Sequence, residues 1–208
     1  MPNWCNNRII VFGEETKLKR FLKETTNEKG EFTFEKLVPR PPELDITSGS
    51  SVDNAIDVLA ANNGDWTKVD EKLQYPAWVK DAKITEFMPL KKKRELMLAK
   101  MNKNLSEKDM QEGRQALDNI RKYGYKDWYK WNISNWGTKW DACGENASID
   151  DMGDSIEIQF DTAWAPPIQW IEKVELLFPD LEFELHYEEP GMCFKGVYSK
   201  GIDKCIEY

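Results

Sequence analysis

A mixed α+β fold, with helices on one face of an antiparallel sheet, is what this 208-residue sequence predicts. Three observations predict it. Close to the N-terminus a β-branched run is followed by an amphipathic helical stretch and then by a second alternating run. The last third repeats that strand–helix–strand plan with clearer period-2 alternation. The residues between the two halves carry helical patterning with their own start and stop signals.

The elements can be justified in order. "NRIIVF", Asn7 to Phe12, is short and β-branched and is closed by Gly13, so it reads as a strand. "ETKLKRFLKETT" places Leu18, Phe21 and Leu22 at helical spacing ahead of Gly30. "GEFTFEKLVP" alternates Phe32 and Phe34 with polar residues before Pro39, Pro41 and Pro42, and is expected to be the second strand. In the C-terminal third, "SIEIQFDTAW" sets Ile156, Ile158 and Phe160 against Glu157, Gln159 and Asp161, the pattern of a half-buried strand. "PPIQWIEKVELLFPD" opens with prolines, tolerated in a first helical turn, and carries Trp170, Ile171, Val174, Leu177 and Phe178 as one stripe. "LEFELHYEE" alternates again, and "GMCFKGVYSKG" adds an expected edge strand. Two βαβ units of this kind make the ferredoxin-like plan.

Between the halves, a bare loop of that length would be out of proportion to a compact domain. "SVDNAIDVLAANNG" and "EFMPLKKKRELMLAKMNK" are rich in helix formers. "LSEKDMQEGRQALDNIRKYG" opens with a Ser106-x-x-Asp109 cap and stops at Gly124. The expected organisation is a ferredoxin-like core of residues 1–42 plus 123–208, with residues 43–122 as a helical insertion.

Formal net charge is -8, which argues against a dedicated binder of nucleic acid or anionic membrane. The charge is uneven, however: residues 80–130 carry fourteen Lys/Arg against eight Asp/Glu. The run Lys91, Lys92, Lys93 and Arg94 heads a Met- and Lys-rich helix. It reads as a solvated helix face or as an electrostatic patch for nucleic acid or an acidic partner. No stretch has the length of apolar residues that a membrane helix needs, and the first residues lack the pattern of a secretory signal. Cys5, Cys143, Cys193 and Cys205 show no CxxC spacing, and His186 is the sole histidine. Free thiols in a reducing cytosol are expected, with no metal site and no cofactor. Cys5 has no histidine beside it and is expected to be buried and inert.

Nine tryptophans are unusual for a chain of this size. Four pieces stand out together: "MPNWCNN", "YGYKDWYKWNISNWGTKWDA", "FDTAWAPP" and "YEEPGMCFKG". Their order and wording resemble the YubB-like family, ferredoxin-like-domain proteins of phages, prophages and plasmids, over residues 1 to about 40 and 123 to 198. The resemblance implies the fold, a mobile-element origin and a bacterial cytoplasm as the setting. It supplies no catalytic residues.

The tryptophan cluster has three readings. If "GTKWDA" is strand, Trp136, Thr138 and Trp140 share one face and Lys139 and Asp141 the other. Trp4, Trp136, Trp140 and Trp164 then pack as core, their indole N–H groups satisfied by Asn6 or Asp141. Alternatively they line a pocket in which Lys139, Asp141 and Asn6 are the polar groups, suited to a nucleotide-like ligand. Otherwise they anchor a partner protein.

Catalytic constellations are not evident. His186 alternates with Glu182, Glu184 and Glu188 rather than sitting beside a nucleophile, and reads as part of a solvated strand face. "SIDDMGD" lacks EF-hand spacing and reads as a loop. No GxGxxG or Walker loop is present. The expected function is a non-catalytic binding protein of mobile-element origin, capturing a nucleotide-like ligand or a host protein through the Trp-rich site. The alternatives are an RRM-like nucleic-acid binder and an unrecognised enzyme. The RRM-like mode would have to use the basic insertion, because Glu157, Asp161, Glu182, Glu184 and Glu188 on the expected sheet face repel phosphate. Oligomeric state is not legible in the sequence.

Overall fold

The computed structural model describes residues 3–208; Met1 and Pro2 of the "MPNWCNN" motif lie outside the described residues. The chain divides into two compact units, residues 1–40 with 129–208, and residues 41–128.

The first unit holds one six-stranded sheet, every neighbouring pair antiparallel. Its strands are β1 (Trp4–Phe12), β2 (Cys143–Asp151), β3 (Ser155–Ala163), β4 (Glu182–Glu189), β5 (Phe194–Ser199) and β6 (Ile202–Glu207), in spatial order β2-β3-β1-β4-β5-β6. Helix α1 (Glu15–Thr25) follows β1, and α8 (Ile168–Leu177) joins β3 to β4. Strands β1 to β4 and these two helices are the ferredoxin-like βαββαβ unit, its split βαβ halves interleaved around β1 and β3. The order β5-β6 extends it by a hairpin.

Alternation decides which side is core. Cys5, Asn7, Ile9 and Val11 of β1 are buried while Trp4, Asn6 and Arg8 are exposed, and β3 and β4 follow the same rhythm. Phe21 of α1 meets Phe178 and Phe183 at 5.4 and 5.5 Å between ring centroids, and Trp170 of α8 is fully buried. Burying such a layer of large apolar side chains is the main favourable term for the unit.

Two strand assignments move. Residues 30–39 are not a strand; only the isolated bridge Thr26↔Phe32 remains. Phe32 and Phe34 are buried, but by side-chain packing: Phe32 lies 5.0 Å from Phe160, and Phe34 lies 5.0 Å from Trp170. The ladder position beside β3 is taken instead by β2, which includes the Asp150–Asp151 pair expected in a loop. Asp154 does lie in the turn between β2 and β3. The edge beyond β5 is β6, a strand whose six residues are all exposed.

The second unit is helical: α2 (Ser50–Asn62), α3 (Thr67–Lys72), α4 (Pro76–Asp81), α5 (Leu90–Lys103) and α6 (Glu107–Tyr123). Ser106 and Asp109 form a reciprocal capping box, and Gly124 ends α6 in the left-handed conformation at φ 78°. Gly113 lets α6 approach α2 closely, since a Cβ there would sit 2.7 Å from the Cβ of Ala55. Val58, Val69, Met97 and Met101 are its core. The unit runs on to residue 128 because Asn119 donates to the carbonyls of Glu43 and Lys126 at 2.8 and 3.0 Å. No described helix is long and apolar enough to cross a membrane.

Candidate functional site

The signature stretch is not a strand. Helix α7 (Trp128–Trp136) ends at Trp136, and Gly137 follows in the left-handed region at φ 88°. A Cβ on Gly137 would meet the Gln169 side chain at 2.2 Å and the Pro166 carbonyl at 2.9 Å, so only glycine makes this turn. The turn separates residues that a strand would have put on one face. Trp136 is 1% exposed, with its indole N–H donating to the Val38 carbonyl at 2.9 Å, not to Asn6 or Asp141. Thr138 is buried as well and donates to the Ala163 carbonyl at 3.0 Å. Trp140 is 37% exposed.

The structure therefore divides the four tryptophans. Trp136 is core; Trp4, Trp140 and Trp164, respectively 39%, 37% and 44% exposed, are surface. They are gathered where β1 begins and β3 ends. Trp4 is paired with Ala163, and the Trp164 N–H donates to the Asn3 carbonyl at 3.0 Å. Trp164 itself has φ 76°, unusual for a bulky residue and a conformation the surrounding contacts must hold in place. The rings of Trp4 and Trp140 are 6.0 Å apart and tilted by 47°. The Lys139 ammonium lies 4.8 Å from the Trp140 ring centre and 5.8 Å from that of Tyr129, within cation–π range.

Beneath this surface lies a buried polar layer that sequence reading missed. Asn7 donates to the Cys5 carbonyl and to the Thr162 hydroxyl, both at 2.8 Å, and Thr162 donates to the Ala165 carbonyl at 2.7 Å. Glu189 is fully buried and accepts the N–H groups of Gly191, at 3.2 Å, and Met192. Burial, reinforced by the Glu189 charge, pushes the Cys5 thiol up to about 12, so it stays protonated and unreactive. These bonds satisfy groups that would be costly if left unpaired, and they hold the strand ends that carry Trp4 and Trp164. The available signal was the strict alternation of Cys5, Asn7 and Ile9 with exposed neighbours.

The remaining candidates fall elsewhere. Asp141 is committed to the protein itself, accepting from the Phe34 and Ala142 N–H groups at 2.6 and 2.7 Å and from the Thr33 hydroxyl. Asn6 is exposed on the open sheet face and donates to Asp161 at 3.3 Å. Lys91, Lys92, Lys93 and Arg94 lie in the helical unit at the start of α5. Arg94 makes a two-point pair with Asp70 and lies over the Trp66 ring. Lys93 donates to the Glu86 carbonyl at 2.8 Å, and Lys92 is 3.4 Å from Glu95. His186 is on the open face beside Glu184. Among the described residues no group of three or more His, Cys, Asp or Glu could hold a metal ion.

Among the described residues of the first unit, two of the concavities are lined by no tryptophan. One of about 1000 Å³ lies between residues 27–36 and β2, floored by Phe32 and Phe160. The other, about 520 Å³, is a depression on the open sheet face around Arg8, His186 and Lys204. That face is less uniformly acidic than β3 and β4 alone suggest, because Arg8, Lys195 and Lys204 join it from other strands.

No curated protein matches the chain. Among solved structures, the crystal structure of a protein api92 from Yersinia pseudotuberculosis is similar, with 14% identity over 100% of this chain and 98% of that one, at a TM-score of 0.46. Residues 135–203, from the end of α7 to the start of β6, match the family model described as the ferredoxin-like domain in Api92-like protein, which agrees with the strand order of the sheet.

Proposed function

We propose that this chain is a non-catalytic binding protein that docks a partner protein on the surface made by Trp4, Lys139, Trp140 and Trp164. The observation that carries the reading is the division of the tryptophans: a chain able to bury Trp136 and Trp170 completely leaves three others open at one end of its sheet. Exposed aromatic groups on a rigid base are the usual anchors of protein interfaces, where Trp, Tyr and Arg dominate the binding energy. The buried Asn7–Thr162 and Glu189 bonds supply that base.

Geometry supports a protein partner over a nucleotide-like ligand. A planar base sandwiched between two rings needs them parallel and about 7 Å apart, twice a carbon–carbon contact distance. Trp4 and Trp140 are tilted by 47°, and Lys139 already lies over the Trp140 ring. The resemblance to proteins of phages and plasmids makes a host protein in the bacterial cytoplasm the natural partner. An RRM-like mode through Lys91–Arg94 has less support, since Arg94 is engaged by Asp70.

The test compares wild type with Trp4→Ala/Trp140→Ala. Each protein retained by wild type and lost by the variant in a bacterial lysate is purified and titrated by calorimetry. A purified partner whose affinity falls at least about thirty-fold, as for an interface anchor worth 2 kcal/mol, supports the reading. A thermal shift with a nucleotide or dinucleotide that Trp140→Ala removes would replace it with the small-ligand reading. Identical retention by both proteins would overturn it.

A further inference from the structure

We infer that the open face of the sheet is a self-complementary surface for a second copy of this chain, the two sheets meeting face to face about a two-fold axis parallel to the strands. The argument rests on how charge is distributed across that face. Cα pairing places Asp150, Glu157 and Asp161 on the β2–β3 side, with Gln159 and Ser148 between them. The β5–β6 side presents Lys195 and Lys204 with Val197, Ser199, Ile202 and Ile206, and no carboxylate. In the middle, β1 presents Asn6 and Arg8, and β4 presents Glu182, Glu184, His186 and Glu188. Charge is thus segregated by strand: negative, positive, negative, positive across β3, β1, β4 and β5.

A two-fold axis in the plane of the sheet can run across the strands or along them. Across the strands, each strand would lie over its own copy, β3 on β3 and β4 on β4, setting like charges against each other. Along the strands, with the axis between β1 and β4, left and right exchange. Then β3 faces the partner's β5, β1 faces its β4, and β2 faces its β6. Rows are preserved by this operation. Asp161, Asn6, Glu188, Lys195 and Ile206 lie in one row of the register, so Asp161 meets Lys195 of the second copy and Asn6 meets Glu188. Arg8, one row on and 3.5 Å from Glu157 of its own sheet, lies opposite His186 of the second copy with Glu184 and Glu188 on either side. Lys204 lies opposite Ser148, diagonal to Asp150. Both halves of the face are satisfied at once, as an isologous contact requires.

The face is available. Arg8, Lys195, Lys204, Asp150 and Glu188 are exposed, and so are the apolar Phe12, Ile202 and Ile206. Its extent bounds the affinity. Six strands about 4.8 Å apart and about 20 Å long present roughly 600 Å² per copy, the low end of specific interfaces. A concentration-dependent dimer that salt weakens is what such a surface makes.

Sedimentation velocity of the full chain tests this. At about 100 µM and low salt a micromolar dimer is fully formed, so a species of twice the chain mass is expected, shifting toward monomer as salt rises. Monomer throughout would overturn the inference. Two folded variants, Lys195→Glu/Lys204→Glu and Asp150→Lys/Asp161→Lys, should each be monomeric and should form a heterodimer when mixed. Should either double variant fail to fold, Lys204→Glu alone on the exposed edge strand is expected to shift the equilibrium toward monomer. Dimers that survive these reversals, or that Trp140→Ala dissociates while they do not, would place the contact elsewhere.

Discussion

The Asp141 carboxylate accepts the backbone N–H of Phe34 at 2.6 Å, joining two segments 107 residues apart in the chain. The same side chain takes the Thr33 hydroxyl and the Ala142 N–H. Residues 30–39 are not held by a strand ladder; this carboxylate takes the Thr33 hydroxyl and the Phe34 N–H, while the indoles of Trp170 and Trp136 donate to the Phe34 and Val38 carbonyls at 3.1 and 2.9 Å.

Asp141→Ala is accordingly expected to destabilise the protein by about 2–3 kcal/mol, because charge-assisted bonds are lost and partly buried donors are left open. Thr33→Val, which removes one of the three donors, should cost less. Lys139→Ala, whose ammonium lies over exposed rings, should stay within about 1 kcal/mol of wild type. Urea denaturation of the three variants checks the order. Equal costs for Asp141 and Lys139 would show that the clasp contributes nothing.

Trp136 and Trp140 are four residues apart and should behave oppositely. Trp136→Ala empties a core position flanked by Phe34 and Trp131 and should cost about 3–5 kcal/mol. Trp140→Ala removes a side chain from a partly exposed site and should cost about 1 kcal/mol or less. Melting curves for both variants decide it, and comparable losses would mean that Trp140 is core after all.

Asp161 supplies a test in pH. Burial raises its carboxyl above the ordinary value, with the Asn6 hydrogen bond opposing that rise. A raised carboxyl favours the folded state while protonated, and that contribution is lost as pH increases through the folded-state value. At neutral pH the charge is therefore a burden. Asp161→Asn should stabilise the protein at pH 7 by no more than about 1 kcal/mol, the charge being only partly buried. The gain should vanish near pH 3, below the ordinary carboxylate range. Denaturant titrations at the two pH values measure it; an equal gain at both would locate the effect outside ionisation.

What the sequence determined by itself is the set of elements whose signal is local. The alternation of β1, β3 and β4, the apolar stripes of α1 and α8, and the capped span from Ser106 to Gly124 are written in period and terminus chemistry. Those depend on each residue's own neighbours, so they survive translation into structure within about three residues, with β1 beginning at Trp4 rather than Asn7 and Leu177 of the α8 stripe exposed. Tertiary structure alone decided which segment completes the first half of the fold. Phe32 and Phe34 alternate as a strand does, yet they are drawn into the core by Phe160 and Trp170, while polar β2 becomes a strand because β3 offers it an open ladder. The same holds for the candidate site. Four tryptophans look alike in sequence, and only the turn at Gly137, made where Gln169 and Pro166 leave no room for a side chain, sends Trp136 inward and leaves Trp140 outside. The mixed charge of the open face likewise waits on the sheet, since hydrogen-bonded pairing is what brings Arg8, Glu184 and Lys204 onto one surface from strands far apart in the chain.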